Sequence, residues 1–262
     1  TENGLRGMPD IARSGALASL RRRIADIERR DFRAVPDTDD LVCGFLSLAR
    51  GAVHEFRTGD WRDAPAALGF ALALSAAAMK ARPQPLVWIG AAREAFHDGV
   101  PHGCGFSHFG LNTDHCVFVR ARDVKSLLWA AEEAARLSGI VLVDFRKPHS
   151  LFDLTATRRL QLAAEQSGGR LLLLRDGRDA GPSAARTRWR VSPSPSAEDP
   201  LDAKGLGRPR WEAVLEKTRD GGRGRWVLEW DHANRRLVEA PHSRGVVSAM
   251  ADGSSEKTAA VA

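Results

Sequence analysis

Val53-His54-Glu55-Phe56 leads into Arg57-Thr58-Gly59-Asp60-Trp61-Arg62-Asp63-Ala64-Pro65, and then into the apolar stretch Ala66 to Met79. This order of strand, loop and helix is the one a phosphate-binding loop uses. Such a loop has the form G-x-x-x-x-G-K-[ST]. Its backbone N–H groups wrap the phosphates, its Lys neutralises them and its hydroxyl holds Mg²⁺. Here Thr58 and Gly59 stand at the turn, but no Lys follows and the helix starts without a hydroxyl. Asp60 and Asp63 put negative charge where the phosphate's own charge would go. The connectivity of a nucleotide-binding protein is present without its chemistry, which predicts a binding or scaffold protein that needs no cofactor and no metal.

Outward from this segment, short apolar strands alternate with amphipathic helices. Leu86 to Ile89, Cys116 to Val119, Ile140 to Val143 and Leu171 to Leu174 read as buried parallel strands. Val124 to Ser138 and Thr155 to Gln166 read as helices, the second closed by Gly168-Gly169. Beyond Leu174 the style changes. Trp189 to Val191, Trp211 to Lys217 and Arg225 to Glu229 read as antiparallel strands separated by turns. The fold class is therefore α/β: a mostly parallel sheet with helices on both faces and an antiparallel extension on the C-terminal side.

Three segments make up the chain: an N-terminal helix with an acidic linker (1–40), a core (41–240) and a small, polar, aperiodic tail (241–262) that reads as disordered. In the first, Leu17, Leu20, Ile24 and Ile27 form a narrow apolar stripe able to meet a partner helix. A short helix, capped by Asp39 or Asp40, is expected over residues 41–50.

The chain has 262 residues, 43% of them hydrophobic and 27% charged, as in an ordinary globular protein. The apolar run from Ala64 to Met79 reads as too short and too Ala-rich to span a bilayer. Three cysteines in no metal-binding spacing suit a reducing cytoplasm. Between Arg158 and Arg225 there are 15 basic and 9 acidic residues, a surplus equal to the whole chain's net +6. Concentrated basic charge of this kind fits phosphate contact.

Taken together, the chain resembles the RecA fold and, within it, the ImuA family of accessory proteins of bacterial translesion mutagenesis, with SulA-like division inhibitors more distant. The motifs that carry the likeness are Arg158-Arg159-Leu160-Gln161-Leu162-Ala163-Ala164-Glu165, Ser183-Ala184-Ala185-Arg186-Thr187-Arg188-Trp189-Arg190-Val191 and Gly224-Arg225-Trp226-Val227-Leu228-Glu229-Trp230-Asp231. The resemblance implies a non-catalytic accessory role in DNA-damage-induced mutagenesis. It implies an ImuB-type polymerase-like partner, with RecA, an error-prone DnaE-type polymerase and DNA as further contacts. It matches Asp144 to the Mg²⁺-site Asp of RecA-like ATPases and places Ala92 or a neighbour at the catalytic Glu. A divergent ATPase and a SulA-like inhibitor stay open as alternatives.

Two clusters bear on DNA. Arg186, Arg188 and Arg190 lie at alternate positions of a strand and so are expected on one face, with Trp189 on the other. Arg158 and Arg159 begin a helix, against its dipole, with Asp153 as their expected partner. The histidines His97, His102, His108 and His115, with Cys104 and Cys116, lack the spacing of a zinc site and read as polar groups on a glycine-rich loop.

Overall fold

A computed structural model describes residues 41–43, 46–91, 99, 101–137, 139–147, 149–178, 181–197, 205–219 and 223–240. The first elements correct the expected helix over 41–50: β1 (Leu41–Cys43) and β2 (Leu46–Ser47) pair antiparallel. Gly44 in mid-segment weakens a helix, and Leu-Val-Cys suits an extended chain.

Nine strands of the described residues form one sheet, in the order β11-β10-β9-β8-β3-β7-β6-β4-β5. The parallel part holds β3 (Ala52–Thr58), β4 (Leu86–Ala91), β5 (Cys116–Ala121), β6 (Ile140–Asp144), β7 (Arg170–Asp176) and β8 (Thr187–Ser194). The antiparallel part adds β9 (Arg210–Thr218), β10 (Gly224–Asp231) and β11 (Arg236–Glu239). The mixed sheet expected from the alternation is thus present, and β8 joins its two parts, parallel to β3 and antiparallel to β9.

Helices cover both faces of the parallel part. On one side, α1 (Ala64–Ala81) and α2 (Gly103–His108) pack on Phe56, Trp88, Leu172, Leu174, Trp189, Trp211 and Trp230. Phe70 of α1 is fully buried between Phe56 and Trp211, with ring centroids 5.9 and 5.7 Å away. On the other side, α3 (Val124–Ala135) and α4 (Leu154–Ser167) pack on Val53, Ile89, Val141, Val143, Leu171 and Leu173. Period-2 strands that are apolar on both faces require this double cover. Together with its one-turn lead-in, Trp61–Ala81 is long and apolar enough to cross a membrane, which corrects the reading of that run as too short. More than half of it is buried, and within the fold it serves as the core helix.

Short side-chain signals set the helix ends. Asp123 and Asp153 accept hydrogen bonds from the Ser126 and Ala156 backbone N–H groups, capping α3 and α4. Gly168 ends α4 in the left-handed region, φ 69°, where a side chain would be strained.

One buried histidine couples this core to pH. His54 is fully buried on β3, with Nε2 3.0 Å from the Ala49 carbonyl and Nδ1 2.8 Å from the Thr187 hydroxyl. A carbonyl only accepts, so Nε2 carries the proton and Nδ1 accepts from Thr187. The Thr187 oxygen in turn accepts from the Trp189 indole N–H at 3.0 Å. Burial, aided by Arg186 and Arg170, lowers the His54 pKa from 6.5 to about 4, against the raising effect of the Ala49 carbonyl. The unfolded chain therefore binds a proton between pH 6.5 and 4 that the folded chain refuses. Stability from this residue is complete above pH 6.5 and falls as pH drops to 4, by about 3 kcal/mol in all. Urea unfolding across this range should show the loss in the native sequence and a shallower slope in His54→Gln.

Candidate functional site: the carboxyl edge of the sheet

The loop after β3 sits at the carboxyl edge of the parallel strands, as its sequence predicts. Register places Thr58 beside Asp176 of β7, and Phe56 level with Leu174 and hence with Asp144 of β6. Thr58, Asp144 and Asp176 therefore end neighbouring strands at one edge of the sheet, and Gly59 and Asp60 follow Thr58 there. The segment 92–98, expected to hold the catalytic-Glu position, lies outside the described residues.

Each acidic group of this edge is occupied by an arginine two residues on. Asp60 accepts from the Arg62 backbone N–H at 2.8 Å and pairs with the Arg62 guanidinium at 3.5 Å. Asp144 receives a two-pronged bond from Arg146, Nε to Oδ1 at 2.6 Å and Nη2 to Oδ2 at 3.1 Å. Asp176 is held by Arg178, whose Nε lies 3.0 and 3.1 Å from its two oxygens. The Arg178 side-chain bond keeps the Asp176 carboxyl below the usual carboxylate range, against the opposing effect of burial. Asp63 sits ahead of α1 but makes no capping bond. The string Asp-x-Arg recurs at 60–62, 144–146 and 176–178 and is the sequence signal of these pairings.

The turn carrying the third clamp also fills space against the loop. A Cβ built on Gly177 would lie 1.6 Å from the Thr58 carbonyl oxygen, so the two backbones are in direct contact. Gly59 is open by comparison, with only an Asp63 oxygen, 4.0 Å away, near its hypothetical Cβ.

The arginine row proves to be mixed. Trp189 turns into the core as expected, and Arg188 and Arg190 share the opposite face. Arg186 precedes the strand and bonds β3 through its backbone N–H, to the Val53 carbonyl at 2.8 Å. Arg188 is drawn inward onto Glu55, at 3.3 Å, and onto the Gly181 carbonyl at 3.2 Å. Arg190 stays exposed, 3.3 Å from Glu216. The single exposed basic row is thus corrected: a fully buried Glu55 has claimed its middle member.

Glu55 lies at the centre of a charge cluster. Arg57 bonds it at 2.7 Å through Nε, and Arg175 stands 3.5 Å away while donating to the Phe152 carbonyl at 3.1 Å. Arg57 and Arg188 both hold the Gly181 carbonyl, Lys217 holds the Ser183 carbonyl at 2.9 Å, and Ala184 N–H donates to Thr157. Residues 181–186 are thereby strapped across the sheet. Desolvation, then Arg188, lowers the Lys217 pKa.

On α4, Arg158 is exposed, while Arg159 pairs with Glu132 of α3 in place of the expected Asp153, which is occupied as the helix cap. Gln161 accepts from Val53 N–H at 2.9 Å and donates to the Gly51 carbonyl at 3.1 Å, fastening α4 to the start of β3. The stretch expected as a glycine-rich loop contains α2 and a one-turn helix at Thr113–His115. The stripe Leu17, Leu20, Ile24 and Ile27 lies outside the described residues.

A parallel sheet doubly covered by helices, a strand–loop–helix at its carboxyl edge and an antiparallel extension define a RecA-like α/β protein. No protein-family model matches the chain. Protein ImuA of Caulobacter vibrioides is 36% identical over 179 residues, covering 64% of this chain and 67% of that protein, in two strains alike. The chain belongs to the ImuA family, which supports an accessory role in damage-induced mutagenesis.

Proposed function

We propose that the chain is a non-catalytic RecA-like accessory protein of the cytoplasm. It binds an ImuB-type polymerase-like protein and works beside an error-prone DnaE-type polymerase, with RecA and DNA as further contacts. The observation that carries the reading is the set of three Asp-x-Arg clamps at the carboxyl edge. Phosphoryl transfer depends almost wholly on positioned positive charge and a metal-binding carboxylate. Here the arginines of that edge neutralise its own aspartates, and Asp144 is engaged by Arg146 in a geometry that suits guanidinium.

For DNA, the reading rests on Arg158 and Arg190, whose side chains face solvent, with Arg159 and Arg186 at the margins. Arg188 serves the strap. For the partner, the stripe at Leu17, Leu20, Ile24 and Ile27 is the proposed anchor.

The test is capture of the tagged full chain from cells exposed to a DNA-damaging agent, followed by identification of what co-purifies. An ImuB-type protein is expected, and Leu20→Asp with Ile24→Asp should abolish its recovery. Recovery of a cell-division protein in its place returns the SulA-like reading.

A further inference from the structure

Away from the loop after β3, a cleft of about 640 Å³ opens between α2, the end of β8, the start of β9 and the turn after β10. Its polar lining consists of Ser194, Ser196, Arg208, Arg210, His108 and His232. Glu229 sits behind the two arginines. Arg210, 7% exposed at its side chain, bonds it at 2.6 Å. Arg208 reaches the same carboxylate at 3.4 Å through Nη1 alone, and its side chain is 59% exposed. Two guanidiniums thus share one carboxylate. Arg208, which Glu229 holds loosely, lines the cleft with a guanidinium of five donors that is mostly exposed.

Across the cleft the Nε2 atoms of His108 and His232 are 2.8 Å apart, so one ring donates to the other. Burial lowers the pKa of His232, and His108 and the Arg208 guanidinium lower it further, against a raising effect of Asp231. Hydroxyls at Ser194, which pairs with Arg210 in the β8–β9 register, and at Ser196 line the same cleft.

We propose that this cleft binds a phosphate group, with Arg208 as its principal ligand. A planar fork with a surplus of donors and two hydroxyls lining one concavity is the chemistry that recognises phosphate oxygens. Phosphate of this kind comes from a DNA strand or from a free nucleotide, and the experiment separates the two. The proposal does not depend on the partner reading above, whose capture experiment leaves Arg208 untouched.

The test is fluorescence anisotropy of a labelled fifteen-residue oligo-dT at about 50 mM salt, where phosphate contacts are strong. Binding to the native chain should weaken about tenfold in Arg208→Gln, as expected for one charge-assisted contact. Arg208→Lys, which keeps the charge and loses the fork, should recover part of it. Arg208→Gln changes an exposed side chain, so its melting temperature should match the native one. Inorganic phosphate, dTMP and ATP are then run as competitors. Displacement by all three at similar millimolar concentrations assigns the site to the phosphate of a strand, and much stronger displacement by the nucleotides assigns it to a free nucleotide. Unchanged oligo-dT binding in Arg208→Gln overturns the proposal. So does loss in Arg190→Gln alone, which would move phosphate contact to the open sheet face while keeping DNA binding. Absence of binding by the native chain to any of these probes overturns it as well.

Discussion

Glu55→Gln should cost the fold about 3–5 kcal/mol, read as a lower midpoint in guanidinium unfolding with an unchanged slope. The size follows from what the carboxylate leaves behind. Arg57, Arg175 and Arg188 all point at it from 2.7, 3.5 and 3.3 Å, and the first two are almost wholly buried. A neutral amide keeps the volume and some hydrogen bonding but removes the negative charge that Arg57, Arg175 and Arg188 share. Taking one partner from a buried charge cluster is expensive, whereas a surface pair is worth at most about 1 kcal/mol. The strap at 181–186 hangs from the same arginines, so β8 should lose protection from hydrogen exchange along with it. A loss below about 1 kcal/mol would mean that water already reaches the cluster, contrary to the burial described.

Gly177→Ala should be equally damaging, about 3 kcal/mol or a failure to fold, because its methyl would fall 1.6 Å from the Thr58 carbonyl oxygen. Backbone cannot yield as a side-chain tip can, so either the loop at 58–60 or the turn at 176–178 must move. Gly59→Ala is the control. Its Cβ meets only an Asp63 oxygen at 4.0 Å, and its φ is not positive, so the change should be neutral or slightly stabilising. This contrast separates the present loop from a phosphate cradle, where the loop glycine is the one that must stay bare. Equal tolerance at both positions would show that the turn does not rest on the loop.

The fold was largely legible because apolar periodicity reports burial directly. Strands such as Ile140 to Val143 and Leu171 to Leu174 have no polar face to spare, and only a doubly covered parallel sheet accommodates them. The residues 41–50 misled because a short apolar run carries no period long enough to tell helix from hairpin. The absence of loop chemistry after β3 was also readable, since it needs only the residues present. Charge was harder. Arg186, Arg188 and Arg190 looked equivalent by spacing, yet Arg188 serves Glu55, 133 positions earlier in the chain, a pairing that no local pattern encodes. His54 and Gln161 are further cases, polar residues whose roles come from elements distant in sequence. The Asp-x-Arg strings were visible, but their meaning depends on strand order, which brings three separate loops to one edge.

The central claim is that this edge no longer binds a nucleotide with its metal, and calorimetric titration with Mg²⁺–ATP tests it most directly. The clamps at Asp60, Asp144 and Asp176, with no loop lysine to oppose them, predict no affinity tighter than about 1 mM, a free energy near −4 kcal/mol. A micromolar dissociation constant, lost in Asp144→Asn, would contradict the account and restore the divergent ATPase.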